Sequence, residues 1–130
     1  MIKYLALEEV LRLHFQVVED FGGSHGVRDE GRLKSVVEAP MQSVFGADQY
    51  ESICEKVAVY MRNIIADRPF YDGNKRSGVT VAVIFLLRNG HHLTATSKEL
   101  EDFAVQVAVE HLEVAEIAEW LKQRSKKADK

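Results

Sequence analysis

"RPFYDGNKRSGVTVAVIFLLRNG", residues 68–90, joins a charged turn to the most apolar segment of the chain. Pro69 fixes its own backbone and biases the residue before it away from helix, so a helix is predicted to end there. Phe70 is the expected anchor of the turn in the core. Gly73 permits a positive φ, and Asn74 can hold the turn through side-chain hydrogen bonds.

The second half of this stretch predicts a helix from about Arg76 to Arg88. It is apolar nearly all round, so we expect it to be central in a helical bundle. Its β-branched residues would also suit a buried strand, but its length and the helical patterns on both sides favour a helix.

The charges at the start of this helix predict an anion site. Lys75, Arg76 and Ser77 fall on its first turn, where unpaired amides and the positive end of the helix dipole attract anions. Without an anion, each cation there costs ~0.3–1 kcal/mol. Asp72 could hold Mg²⁺ bridging to phosphates. A solvated helix start with a capping carboxylate has the same composition and remains an alternative.

Helical periodicity recurs along the rest of the chain. Asp29 is a candidate N-cap for a second helix, which Pro40 stops or kinks, and Thr96 to Glu99 form a capping box. A third helix carries Ile53 to Ile65, and the last carries Val114 to Leu121. The inward stripe of the first helix, which Gly22-Gly23 ends, comprises Leu7, Val10, Leu11, His14, Val17, Val18 and Phe21.

Length and composition indicate one globular domain over residues 1–130, with 46% hydrophobic and 28% charged residues. The recurring helical periodicity indicates an all-α fold. A net charge of -3 does not favour nucleic-acid binding. The single cysteine, Cys54, is expected to be a small core residue. An N-terminus with early acidic residues, and an apolar run over residues 79–87 of about half a membrane span, favour a cytoplasmic protein that does not enter membranes.

Two short segments have weaker patterns. Extended residues 1–5 and 91–95 could pair as a small hairpin. Residues 122–130 are basic and are predicted to be a solvated tail.

The turn at residues 68–78 resembles the Fic-type motif, HxFx(D/E)(G/A)N(G/K)R, and is closest to that of Doc (death-on-curing) toxins of bacterial toxin–antitoxin pairs. Every specified position matches except the first, and Lys75 marks the Doc branch. "GVRDEGRLKSVVEAP", residues 26–40, and "FLLRNGHHL", residues 85–93, are similar to flanking segments of that family. The resemblance covers essentially the whole chain. It implies a Fic/Doc-type helical bundle with a central buried motif helix.

This resemblance implies transfer of the ATP γ-phosphate to a hydroxyl of translation elongation factor Tu, which arrests translation. Asp72 would hold Mg²⁺, and Asn74 would fix the loop and contact phosphate. Lys75 and Arg76 would neutralise the phosphates. The implied nucleotide-binding residues are Gly73, Asn74, Lys75, Arg76 and Ser77, and the implied catalytic residues are Arg68, Asp72, Asn74, Lys75 and Arg76.

Arg68 departs from the family motif, which has a general-base histidine at this position. A guanidinium stays protonated at neutral pH and cannot accept a proton. Loss of a general base costs ~10²–10⁴-fold in rate, so we expect strongly impaired transfer, with binding retained. AMP-transferring members have an arginine where this chain has Val79, and this difference, with Lys75, favours phosphoryl transfer.

A non-catalytic binding module and an AMP transferase remain alternatives. The resemblance also implies a cognate antitoxin, a partly disordered protein whose segment folds into a groove on the toxin. We expect this groove near the first helix and the motif loop, with His14 and Phe21 in its lining.

Overall fold

The computed structural model describes residues 1–128. Over these residues the chain is a helical bundle with four very short strands, which confirms the all-α prediction. Its elements are α1 (Leu7–Phe21), α2 (Glu30–Glu38), a 3₁₀ turn (Ala39–Met41), β1 (Ser43–Val44), β2 (Ala47–Asp48), α3 (Ile53–Asp67), α4 (Asn74–Arg88), β3 (His91–Leu93), α5 (Ser97–Glu110), α6 (Val114–Gln123) and β4 (Ser125–Lys127). No helix among these described residues is both long and apolar enough to span a lipid bilayer.

Side-chain caps set several helix ends where the sequence predicts them. Asp29 accepts a hydrogen bond from a backbone amide in the first turn of α2, and Thr96 and Glu99 form the capping box of α5. The motif helix begins at Asn74, two residues before the predicted start at Arg76. It begins early because Gly73, with φ 75°, lets the chain turn directly into helix.

Helix α4 is central and packs against α1, α3, α5 and β3. Its buried face carries Val81, Ala82, Phe85 and Leu86. The predicted central position of α4 is confirmed, although one of its faces stays partly open because α5 covers that face incompletely. A groove of about 420 Å³ lies over Val79, Val83 and Ile84, and Leu87 is 54% exposed.

The inward stripe predicted for α1 is wider than the face that the helix buries. Val10, Val17 and Val18 are in the core as predicted, whereas Leu11 and Phe21 are exposed. A stripe with seven members spans a broad arc of the helix, and its edges pass beyond the contact with α4.

The predicted hairpin between residues 1–5 and 91–95 is wrong. β3 pairs instead with β4 in antiparallel register, His91 opposite Lys127, because α6 returns the chain alongside β3. The N-terminal segment is held by a side chain, since the Asn89 amide bonds both the N–H and the C=O of Lys3. The predicted solvated tail therefore contains a strand, and residues 129 and 130 lie outside the described part.

Two side chains of α3, Lys56 and Cys54, contact the short strands at the edge of the bundle. Lys56 is 1% exposed, and its ammonium donates to the carbonyls of Pro40 and Tyr50 and contacts the carboxylate of Asp48. It thereby ties the β1–β2 hairpin to the core. Cys54 is half-buried next to β4, and burial raises the pKa of its thiol, consistent with the predicted structural role.

Candidate active site

The motif loop starts with a left-handed residue that ends α3. Arg68 has φ 49° and ψ 62°, a conformation that excludes further helix. The Arg28 guanidinium donates to the carbonyls of Asp67, at 2.8 Å, and of Arg68, at 2.7 Å. The backbone amides of Arg28 and Asp29 both donate to the carbonyl of Pro69. The chain before α2 thus holds the start of the loop.

Phe70 and Asn74 fix the middle of the loop, as predicted. Phe70 is fully buried. The Asn74 side chain accepts from the Phe70 amide at 3.1 Å and donates to the Phe70 carbonyl at 3.0 Å. Asn74 is itself 8% exposed, so its amide stabilises the loop from inside.

His14 of α1 packs against the buried side of the motif loop. Its ring stacks on Phe70 with a centroid distance of 3.7 Å and an interplanar angle of 4°. Nε2 lies 2.8 Å from the Asp72 carbonyl oxygen, and because a carbonyl only accepts, Nε2 carries the proton. Burial lowers the pKa of His14. At 3% exposed it is a satisfied core histidine, and its predicted place in a groove lining is wrong.

The Asp72 carboxylate is held by the loop between α1 and α2. Its Oδ2 accepts from the Ser24 amide at 2.8 Å. Gly23 permits this approach, since a Cβ there would lie 3.2 Å from the Asp72 Cβ, and its φ of 110° also favours glycine. The Tyr71 amide donates to the Gly26 carbonyl. In the sequence, Gly23 and Gly26 are the one signal of this close backbone contact.

A cavity of about 440 Å³ brings most of the predicted site residues together. Its lining includes Arg68, Asp72, Gly73, Asn74 and Lys75 from the motif, and Ala108 and His111 from α5 and its C-cap. Among the residues that the structure describes, neither Arg68 nor Lys75 forms an ion pair. The N-terminus of α4 also has no side-chain cap. Two cations and unpaired amides therefore face a space that suits an anion.

Arg76 and Ser77 lie away from this cavity. The Arg76 guanidinium stacks over the Phe21 ring at 3.9 Å and pairs with Glu101 at 3.5 Å. Ser77 is fully buried, and within the described residues its hydroxyl has no hydrogen-bond partner. Its amide donates to the Gly73 carbonyl in the helix ladder. The sequence could not separate these two residues from Lys75, because their orientation depends on how α4 packs.

Arg76 instead lies on the groove between α4 and α5. The groove is lined mainly by apolar side chains, with Phe21 among them and Lys75 also reaching it. Its apolar lining includes Phe21, Val79, Val83, Ile84, Leu100, Ala104 and Val105. An apolar surface with cations beside it suits a peptide that has both apolar and acidic side chains.

Asp72 is suited to a magnesium ion that is shared with phosphates. It is exposed on the cavity, and the Ser24 amide occupies Oδ2, which leaves Oδ1 for a cation. Across residues 1–128 no group of three or more His, Cys, Asp or Glu side chains is arranged to hold a metal. Mg²⁺ commonly binds through one or two carboxylates together with substrate phosphates and water, so the residues present fit this mode.

Comparison with known proteins gives matches over most of the chain. The sequence model of the Fic/DOC family matches residues 4–86. The chain is similar to "Toxin Doc" of Mycolicibacterium smegmatis, at 33% identity over 91% of this chain and 90% of that protein. It is also similar to "Protein kinase doc" of Escherichia phage P1, at 28% identity over 94% of this chain and 95% of that protein.

Proposed function

The chain belongs to the Fic/DOC family, and on that premise we propose that it is a Doc-like toxin that phosphorylates a protein. The phosphoryl donor is ATP with Mg²⁺, and the acceptor is a hydroxyl of translation elongation factor Tu in the cytoplasm. Two relatives named as a toxin and as a protein kinase support this proposal.

One observation carries the proposal. Arg68, Asp72 and Lys75 line a single cavity at the uncapped N-terminus of α4. Its volume, about 440 Å³, falls in the usual range of small-molecule sites, about 300–1,000 Å³. Phosphoryl transfer depends mainly on positioning and on neutralising phosphate charge, and these residues can provide both.

Each residue has a role that follows from its contacts. Lys75 and the first amides of α4 bind phosphate oxygens. Asp72, oriented by the Ser24 amide, holds Mg²⁺, which supplies further neutralisation of phosphate charge when bound. Asn74 keeps the loop in place through both of its bonds to Phe70. Arg76 reaches phosphate only if it leaves Glu101.

Arg68 slows the proposed reaction in this chain. It occupies the motif position of the general base, and a guanidinium cannot accept the proton of the target hydroxyl. The expected cost is ~10²–10⁴-fold in rate. Its positive charge still attracts phosphate, so nucleotide affinity is retained.

The test is to compare the unchanged chain with Arg68→His for growth arrest and for transfer to purified elongation factor Tu. Arg68→His is expected to arrest growth and to transfer label from γ-labelled ATP at least ~10²-fold faster. The control is Arg68→His with Asp72→Asn, which retains an acceptor for the Ser24 amide but removes the carboxylate charge, and it should be inactive.

The outcomes also separate the alternatives. Transfer of α-label instead of γ-label would identify an AMP transferase. If Arg68→His binds magnesium-ATP in calorimetry but transfers no label, the protein is a non-catalytic binding module. The permanent charge of Arg68, which cannot act as a base, favours this alternative. If Arg68→His binds no nucleotide in the presence of magnesium, the proposed site itself is wrong.

We further propose that the groove between α4 and α5 binds a segment of the cognate antitoxin. Its lining is mainly apolar, Arg76 is paired with Glu101 inside it, and Lys75 stands beside it as a cation. This surface matches a mainly apolar peptide with an acidic group for Lys75. The test uses Val105→Glu, a groove residue that is 48% exposed, in the toxic Arg68→His background. Antitoxin co-expression should then no longer prevent growth arrest.

The matched control is Val109→Glu, on the same helix, 70% exposed and outside the groove lining. It should remain neutralised by the antitoxin. Equal neutralisation of both variants would exclude this groove as the antitoxin site, without affecting the proposed reaction.

A further inference from the structure

We propose that His111 accepts the proton of the target hydroxyl in this chain, in place of the histidine that the family motif has at position 68. The proposal rests on phosphoryl transfer as the proposed function. It concerns the same cavity, where the side chain of Arg68 has replaced the usual proton acceptor.

The C-terminal end of α5 brings an imidazole to the wall of the cavity. Of the described side chains that line it, Arg68 and Lys75 are cations that only donate, and the Tyr71 phenol is a far weaker proton acceptor than an imidazole. Asp72 is engaged by a backbone amide and is the proposed magnesium ligand. An imidazole accepts protons near neutral pH, which makes His111 the suited acceptor in this lining.

The backbone conformation of His111 is a second, independent feature that is typical of functional residues. It adopts the left-handed conformation, with φ 52° and ψ 50°, which glycine adopts without strain and other residues rarely adopt. The cap at this position needs no side chain, because the backbone amide of His111 donates to the Val107 carbonyl. Strained backbone often occurs at functional sites.

The proposed step transfers one phosphoryl group to the target hydroxyl and one proton to His111. The target hydroxyl oxygen forms a bond to the γ-phosphorus of ATP, and the bond from that phosphorus to the β–γ bridging oxygen breaks. ADP leaves with the electron pair of the broken bond. The hydroxyl proton moves to the unprotonated ring nitrogen of His111, and because this residue is exposed, the imidazolium then releases the proton to water.

The experiment measures label transfer from γ-labelled ATP to elongation factor Tu by four proteins: the unchanged chain, His111→Gly, Arg68→His, and Arg68→His with His111→Gly. Glycine suits the left-handed backbone, so His111→Gly should fold with an unchanged or higher melting temperature. We expect His111→Gly to lower the residual rate of the unchanged chain by about 10-fold or more, the part of the ~10²–10⁴-fold general-base contribution that Arg68 leaves. In the Arg68→His background it should have little effect, because the restored histidine accepts the proton.

Two further readouts distinguish a proton acceptor from a structural residue. The affinity for magnesium-ATP, measured by calorimetry, should be the same with and without His111. Free imidazole should restore transfer to His111→Gly but not to Asp72→Asn. His92→Ala removes an imidazole that does not line the cavity and should leave the rate unchanged.

The role of His111 is overturned if His111→Gly transfers as fast as the unchanged chain. It is also overturned if the unchanged chain is inactive while Arg68→His is active. Both results leave the proposed function intact. Absence of transfer by all four proteins overturns the proposed function, and the role of His111 with it.

Discussion

Replacement of Gly78 by alanine tests how closely the motif helix must approach α3. Gly78 is buried in α4 and faces Ile65 and Met61 of α3. A Cβ at this position would lie 2.8 Å from Ile65 Cγ1, 3.2 Å from Ile65 Cδ1 and 3.4 Å from the Met61 carbonyl oxygen. The first distance is shorter than carbon atoms tolerate, so either the Ile65 side chain or one of the two helices has to shift.

Two opposing effects determine how much Gly78→Ala changes the free energy of unfolding. Alanine is favoured over glycine in a helix interior by about 1 kcal/mol. Overpacking of a core costs about 1–3 kcal/mol, and Ile65 is β-branched in a helix, so its Cγ1 cannot rotate away cheaply. We therefore expect Gly78→Ala to lower the free energy of unfolding by up to about 2 kcal/mol.

The assay is urea denaturation of a double-mutant cycle with Ile65→Ala. In the Ile65→Ala background the clash is absent, so Gly78→Ala should be neutral or stabilising, which gives a coupling energy of about 1–3 kcal/mol. Gly31→Ala is the control, because its Cβ would meet only Asp29 Oδ1, at 3.4 Å. If Gly78→Ala stabilises the unchanged protein as Gly31→Ala does, or shows no coupling to Ile65, the steric argument is wrong.

Three other predictions concern buried polar groups. Burial lowers the pKa of His14 below 6.5, so the stability that neutral His14 contributes is present above pH 6.5 and is lost as pH falls. The free energy of unfolding should therefore decrease more steeply between pH 8 and pH 5 in the unchanged protein than in His14→Gln. Equal slopes for the two proteins would contradict this. Burial raises the pKa of Tyr60 from 10.0 to about 12, so about 3 kcal/mol of stability is present below pH 10 and lost as pH rises to 12. At pH 8, Tyr60→Phe should lower the free energy of unfolding by about 1 kcal/mol, because the Leu5 amide loses its acceptor. At pH 12 this loss of stability should disappear or reverse, because phenylalanine does not ionise. Lys56→Met should lower the free energy of unfolding by about 2–4 kcal/mol, because the buried carbonyls of Pro40 and Tyr50 lose their donor. Hydrogen exchange of backbone amides should also speed up more in residues 39–50 than in α5. An equal increase in both regions would contradict a local role of Lys56.

Much of the fold was predictable because local interactions define it. Apolar spacing predicts the helices, Asp29 and the Thr96–Glu99 pair cap two of them, and Gly73 permits the turn into α4. The bonds of Asn74 to Phe70 span only four residues, so the sequence could predict them. The side-chain periodicity also predicted a central α4, although not the groove that leaves one face open.

The helices, their caps and the chemistry of the motif loop follow from local sequence, since these depend on residues within about one helical turn of each other. Other features exist only in the folded bundle: the pairing of β3 with β4, the support of the loop by His14 and Arg28, the separation of Arg76 from Lys75, and the presence of His111 on the cavity. These contacts join segments that are distant in the chain. They are set by the packing of whole helices, which a local pattern of residues does not record.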